Sequence, residues 1–261
     1  MTDFVTSADG TLIAYETVGS GPVVILIAGA SSFRAFDSTT TEMAHQLSEH
    51  GLTVLTYDRR GRGESGDTAP GGLDREIEDI AALIDAVGGT ASLYGSSSGG
   101  ALALWAAQKV GMVPKLALWE VPLSPDSTGT EYLDGLRERV DRGDSEAAVE
   151  FFMRDMPPEW LEGVRNSDAW PVMQKLAPTL VYDAEALARA QDRTPWREHW
   201  SNVSMPTLVM VGERTLPIFP PAAAALVRAL PNARQLTIAA QDHGWQPGVM
   251  ASVLGEFYTS E

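Results

Sequence analysis

The stretch Ala91-Ser92-Leu93-Tyr94-Gly95-Ser96-Ser97-Ser98-Gly99-Gly100 decides the fold. Ala91 to Tyr94 reads as a short strand, and Ser98 to Lys109 reads as a helix. The serine-rich turn between them has the form G-x-S-x-G in a strand–turn–helix context. Such a turn is tight, so the positions flanking its middle residue must be small. The hydroxyl of Ser97 is thereby lifted above the sheet edge. The amide N–H groups at the helix N-terminus then point to where negative charge would develop. The plainer reading, a polar loop with two flexible glycines, leaves the strand before it and the helix after it unexplained.

Working outward, Val23 to Ile27, Leu52 to Tyr57, Leu116 to Trp119, Thr207 to Val211 and Gln235 to Ile238 read as further strands. Several are continuous apolar runs, the pattern of a strand covered on both faces. Phe4 to Ser7 and Thr11 to Val18 flank Ala8-Asp9-Gly10, an Asp-Gly hairpin signal. Helical patterns cover Met43 to Glu49, Asp74 to Ala86, Pro220 to Ala229 and Gly248 to Tyr258. Strand and helix alternate, which predicts an α/β fold with a mostly parallel central sheet and helices on both faces. Right-handed crossovers bring the strand C-terminal ends to one edge, where ligands bind. The alternation stops between Pro122 and Ser204, a stretch with helical periodicity and four tryptophans: Trp160, Trp170, Trp196 and Trp200. The expectation is a core of residues 1–121 and 204–261 with an inserted helical cap at 122–203.

With this order of elements, Tyr57-Asp58-Arg59-Arg60-Gly61-Arg62-Gly63-Glu64-Ser65 resembles the D-x-R-G-x-G-x-S turn of α/β-hydrolases. The resemblance covers nearly the whole chain outside the insertion. It implies an α/β-hydrolase fold and a nucleophile at Ser97. Asp58 and Arg59 are read as structural members of their loop.

A serine nucleophile needs a base. The chain has four histidines, His45, His50, His199 and His243. His45 and His50 fall on or after an early helix, and His199 lies in the insertion. The resemblance implies His243, in Gln241-Asp242-His243-Gly244 after the last strand. An ordinary imidazole, with a pKa of about 6.5, accepts a proton near neutral pH. The acid departs from the family. Its usual slot follows Thr207 to Val211, where this chain reads Gly212-Glu213-Arg214-Thr215, so a threonine stands where the aspartate is expected. Glu120, at the end of Leu116 to Trp119, is the preferred substitute. Glu213 and the absence of any acid are the alternatives, and Asp242 is too near His243 in sequence to orient its ring.

The resemblance also implies an oxyanion hole of two backbone N–H groups, from Ser98 and from the loop Ala28-Gly29-Ala30-Ser31-Ser32. Ala30 is the expected donor and Ser31 the alternative. Here the family's histidine before the glycine is missing. Ser31, Phe33, Trp160, Trp196 and Trp200 are expected at an apolar substrate pocket, with Phe36 and Phe219 close by.

Composition sets the limits. With 35 acidic against 19 basic residues and a net charge of −16, nucleic acid and anionic membranes are poor partners. The absence of cysteine excludes disulfides, thiolate metal sites and a cysteine nucleophile. The scattered histidines match no metal-ligand spacing, and no cofactor is implied. The start of the chain has no basic, then apolar, targeting pattern, so a cytoplasmic protein is expected. The oligomeric state is left open. The leading function is a serine hydrolase acting on an ester, lactone or related acyl bond of a small molecule. The alternatives are a lyase or acyltransferase on the same site, and a hydrolase-like ligand sensor.

Overall fold

A computed structural model describes residues 1–191 and 195–260. Eight strands form one sheet in the order β1-β2-β4-β3-β5-β6-β7-β8. The hairpin β1 (Asp3–Thr6) and β2 (Leu12–Gly19) is antiparallel, and β2 pairs antiparallel with β4 (Thr53–Tyr57). The remaining strands run parallel: β3 (Val23–Ile27), β4, β5 (Ser92–Ser96), β6 (Leu116–Trp119), β7 (Thr207–Arg214) and β8 (Ala233–Gln241).

Two strands reach further than their apolar runs predict. β5 continues to Ser96 because its last residues pair with β3 and β6, with Ser96 opposite Trp119. The turn therefore begins at Ser97 itself. β7 continues to Arg214, which pairs with Gln241 across an irregularity after Gly212. Gly212-Glu213-Arg214 is thus strand rather than loop, held by backbone pairing that polar side chains do not advertise.

The helices cover both faces. On one face α2 (Leu73–Ala86), α3 (Ser98–Lys109) and α10 (Phe219–Ala229) share an apolar cluster with Leu93, Leu116 and Val209. On the other, α1 (Ser38–Ser48) and α11 (Pro247–Thr259) pack on Leu26, Tyr94 and Trp119. Helix α1 starts five residues before the predicted Met43, because the Asp37 side chain accepts the Thr40 N–H at 2.9 Å and caps the first turn.

Between β6 and β7 lie α4 (Thr130–Asp141), α5 (Ser145–Met153), α6 (Pro158–Arg165), α7 (Ala169–Leu176), a 3₁₀ turn at Ala177–Thr179, α8 (Leu180–Ala190) and α9 (Trp196–His199). Leu136, Val149, Met173, Leu180 and Ala184 give these helices an apolar cluster of their own. Helix α8 also joins the sheet side, where Trp105 of α3 donates its indole N–H to Ala186 O at 3.2 Å. Among the described residues no helix is long and apolar enough to cross a membrane.

Candidate active site

The turn after β5 is built by glycines. A Cβ on Gly99 would stand 2.5 Å from the carbonyl oxygens of Ile27 and Ala28, and one on Gly95 would stand 2.6 Å from Gly100 Cα. Those approaches let α3 begin directly behind the strand ends. Ser97 takes φ 54° and ψ −126°, outside the ordinary regions for an L residue, and its N–H donates to Trp119 O at 2.8 Å. The serine side chain is held half-exposed while Ser98 behind it is buried.

Glu120 follows β6 directly and is 2% exposed. Its Oε1 accepts the Gly212 N–H at 2.9 Å, and its Oε2 lies 2.6 Å from Nδ1 of His243. Gly212 is required there, since a Cβ would stand 2.9 Å from Ala240 O and 3.3 Å from Oε1. The imidazole stacks on Phe219, with ring centroids 4.5 Å apart and 3° between planes. The His243 carbonyl accepts the Trp119 indole N–H at 3.2 Å. Ring, carboxylate and turn are thereby fixed from three sides. No hydrogen bond among the described residues joins Ser97 Oγ to the ring.

The loop after β3 is anchored by buried arginines. Arg59 Nη1 donates to Ala28 O at 3.2 Å, and Arg62 Nη1 to Gly29 O at 2.7 Å. In a trans peptide the N–H points opposite the C=O. Holding Gly29 O against Arg62 therefore turns the Ala30 N–H away from that cluster, and it has no acceptor among the described residues. Asp183 of α8 completes the cluster. Its two oxygens accept from Arg59 Nη1 and Arg62 Nη2, each at 2.5 Å, and Oδ1 also accepts from the Ser98 hydroxyl at 2.7 Å. Glu76 of α2 takes the remaining face of Arg59 through two 2.7 Å bonds. Burial would push the Asp183 carboxyl up, but the Arg59 and Arg62 guanidiniums and the Ser98 hydroxyl together hold it below its ordinary value.

A cavity of about 740 Å³ opens over this edge of the sheet. Ser97, Ser98, Ala30 and His243 line it, and Tyr132, Met153, Met156, Trp160, Met173 and Leu187 form a largely apolar wall from the helices between β6 and β7.

The profile of the alpha/beta hydrolase family matches residues 24–252. The chain belongs to the alpha/beta hydrolase family. An alpha/beta hydrolase from Sphaerobacter thermophilus superposes with a TM-score of 0.85 at 38% identity, covering 98% of this chain and 100% of that one. An esterase from Exiguobacterium antarcticum gives 0.75 at 23% identity, covering 100% of both chains. A non-heme haloperoxidase from Rhodococcus erythropolis is 26% identical over 92% of each chain.

In this alpha/beta hydrolase, Ser97, His243, Ala30, Ser98 and Trp160 all border one cavity, and Glu120 stands behind the histidine. Four residues expected at the substrate lie elsewhere. Trp200 is fully buried against Trp105 and His199, and Trp196 joins the same sheet-side cluster, because α9 packs on α3. Phe33 stacks on Phe36 instead of facing inward, with centroids 5.6 Å apart. Ser31 is buried at φ 57°, and its neighbour Ser32 lines the cavity in its place. Glu213 is exposed on the end of β7, and Asp242 is also exposed. The methionines and Tyr132 in the wall, and Trp245 after His243, were not legible, since helical periodicity does not say which face of an inserted helix looks inward. Their nearest signal was the apolar character of α5 and α7.

Proposed function

We propose that the protein is a serine hydrolase that cleaves an ester, lactone or related acyl bond of a small, largely apolar molecule. Ser97 Oγ attacks the acyl carbon while Nε2 of His243 takes its proton. Glu120 holds Nδ1–H and stabilises the imidazolium. The N–H groups of Ala30 and Ser98 receive the oxyanion. The protonated ring then hands its proton to the leaving oxygen, and an acyl-serine remains. Water, deprotonated by the same ring, releases the acid. Residues 122–203 act as a cap over a core of 1–121 and 204–261, and the wall they supply selects the apolar part of the substrate. We place the enzyme in the cytoplasm, in keeping with a cysteine-free chain.

The observation that carries this reading is the 2.6 Å pairing of His243 with a buried carboxylate, at the mouth of the cavity that also receives Ser97. Apo hydrogen bonds between a nucleophile and its base are commonly loose and tighten with substrate bound. The esterase name of one structural neighbour supports the same chemistry. The test is covalent labelling by a fluorophosphonate together with hydrolysis of p-nitrophenyl esters. Labelling and turnover are expected in the native protein, and both are expected to vanish in Ser97→Ala. Labelling without ester turnover would favour a lyase or acyltransferase, and no labelling would remove Ser97 as nucleophile.

A further inference from the structure

The two amides proposed for the oxyanion hole sit in backbone that does not hold itself. Ser97 takes φ 54° and ψ −126°, and that ψ sets the direction of the Ser98 N–H. A residue other than glycine keeps such angles only where its neighbours are fastened. On one side the Ser97 N–H is tied to Trp119 O at 2.8 Å. On the other the Ser98 hydroxyl donates to Asp183 Oδ1 at 2.7 Å. The Ser98 N–H itself meets no backbone carbonyl among the described residues, in keeping with its place in the first turn of α3.

The Ala30 side depends on the same carboxylate. Arg59 Nη1 bridges Ala28 O, at 3.2 Å, and Asp183 Oδ1, at 2.5 Å. Arg62 places Nη1 on Gly29 O at 2.7 Å and Nη2 on Asp183 Oδ2 at 2.5 Å. A guanidinium is a rigid planar fork, so fixing one part of it on Asp183 aims the rest at the loop carbonyl. The Ala30 N–H follows, because it shares a peptide plane with Gly29 O. Asp183, Arg59, Arg62 and Ser98 are all buried, and in such a setting these hydrogen bonds are strong.

We infer that Asp183 is the positioning residue of the oxyanion hole. One carboxylate, supplied by α8 from the stretch between β6 and β7, sets both donor amides at once: Ser98 through its hydroxyl, and Ala30 through Arg59 and Arg62. It touches no reacting atom and acts only through these groups. The helices between β6 and β7 thereby govern the rate of the chemical step as well as the shape of the cavity wall. This rests on the serine-hydrolase reading of the same cavity.

The test compares a p-nitrophenyl ester with its thionoester, in which sulfur replaces the carbonyl oxygen. Sulfur is larger and a weaker acceptor, so a well-aimed pair of N–H groups favours the oxygen ester. The ratio of the two kcat values therefore reads the alignment of the hole. Rates are taken per site titrated with a fluorophosphonate, which keeps unfolded protein out of the count. Ser98→Ala retains the N–H and deletes only the hydroxyl. Its kcat for the oxygen ester is expected to fall about tenfold with KM little changed, the scale of one hydrogen bond. Asp183→Asn offers one acceptor to three donors, and a fall of about 10² is expected, again in kcat. In both variants the thionoester is expected to lose less, so the ratio shrinks. A purely structural Asp183 would lower Tm and the titrated fraction while leaving kcat per site and the ratio at their native values, and that result would overturn the proposal. Ser98→Ala leaves Asp183 on both arginines, so it decides the question even where Asp183→Asn does not fold. Native protein that neither takes the label nor cleaves either ester would sink the hydrolase reading and this proposal with it. Native turnover with unchanged ratios in the variants would sink this proposal alone.

Discussion

Glu120, at the end of β6, meets His243, in the turn after β8, through a 2.6 Å approach of Oε2 to Nδ1 that spans 123 residues of sequence. The carboxylate thus comes from one strand earlier than the slot occupied by Thr215. It reaches across β7, where the Gly212 N–H aims it. Glu120→Gln keeps the shape and removes the charge that stabilises an imidazolium. Turnover is expected to fall by about 10³–10⁴ with KM little changed. Glu213→Gln, on an exposed strand end, is expected to leave both unchanged. Steady-state kinetics on one p-nitrophenyl ester compares them, and the reverse ranking would reassign the acid.

Gly29 closes the opposite side of the site. A Cβ there would stand 3.1 Å from Ser97 Cβ and 3.2 Å from Ser96 O, so either the loop or the serine must give way by a few tenths of an ångström. Gly29→Ala is expected to cut kcat by about 10², the scale of losing an oxyanion donor's alignment, with little change in Tm. A Tm drop with proportionate loss of soluble protein would mean that the glycine serves folding alone.

Asp183 ties α8 to the Ser97 turn and to the arginines that hold the loop after β3. Asp183→Asn leaves Arg62 without a carboxylate in a buried setting, and a loss of about 3–5 kcal/mol of stability is expected. The pH dependence has a definite sign. The native carboxyl is held below its unfolded value, so its contribution is complete above about pH 4 and is lost as pH falls through the lower, folded value. Urea unfolding between neutral and acid pH should therefore show a steeper acid loss in the native protein than in Asp183→Asn. Parallel curves would remove Asp183 from the acid sensitivity.

The two tryptophans Trp160 and Trp200 separate recognition from folding. Trp160 borders the cavity, and Trp160→Ala is expected to raise KM for long apolar esters more than for short ones. Trp200 is buried beside Trp105, and Trp200→Ala is expected to cost about 3–5 kcal/mol with kcat preserved in the folded fraction. Chain-length kinetics and thermal unfolding of the two variants distinguish the roles.

The sheet was legible because its strands are apolar runs with few polar interruptions, and the Ser97 turn because glycines at 95 and 99 satisfy a steric need visible in one line of sequence. Glu120 was legible as a carboxylate at a strand end, once Thr215 was seen to lack the charge. The clamp of Arg59 and Arg62 on Asp183 was not, since the partners lie 124 and 121 residues apart and the loop role expected of Arg59 names no partner in the insertion. The ends of β7 and β8 were missed for a related reason: pairing of Arg214 with Gln241 depends on the neighbouring strand, not on hydropathy. Trp196 and Trp200 look like pocket residues by type alone, and only the packing of α9 on α3 assigns them to the interior.

Ser97, Glu120 and His243 all take a left-handed φ, at 54°, 41° and 65°, among only six described residues other than glycine that do so. Side chains of these types resist that backbone, while glycine accepts it readily. A heat-selection campaign scored only on recovered folded protein is therefore expected to enrich glycine at these three positions, and on the proposed mechanism each such winner is inert. Directed evolution for robustness must screen turnover alongside survival, because in this chain the easiest gains in thermal endurance coincide with the three residues proposed to react.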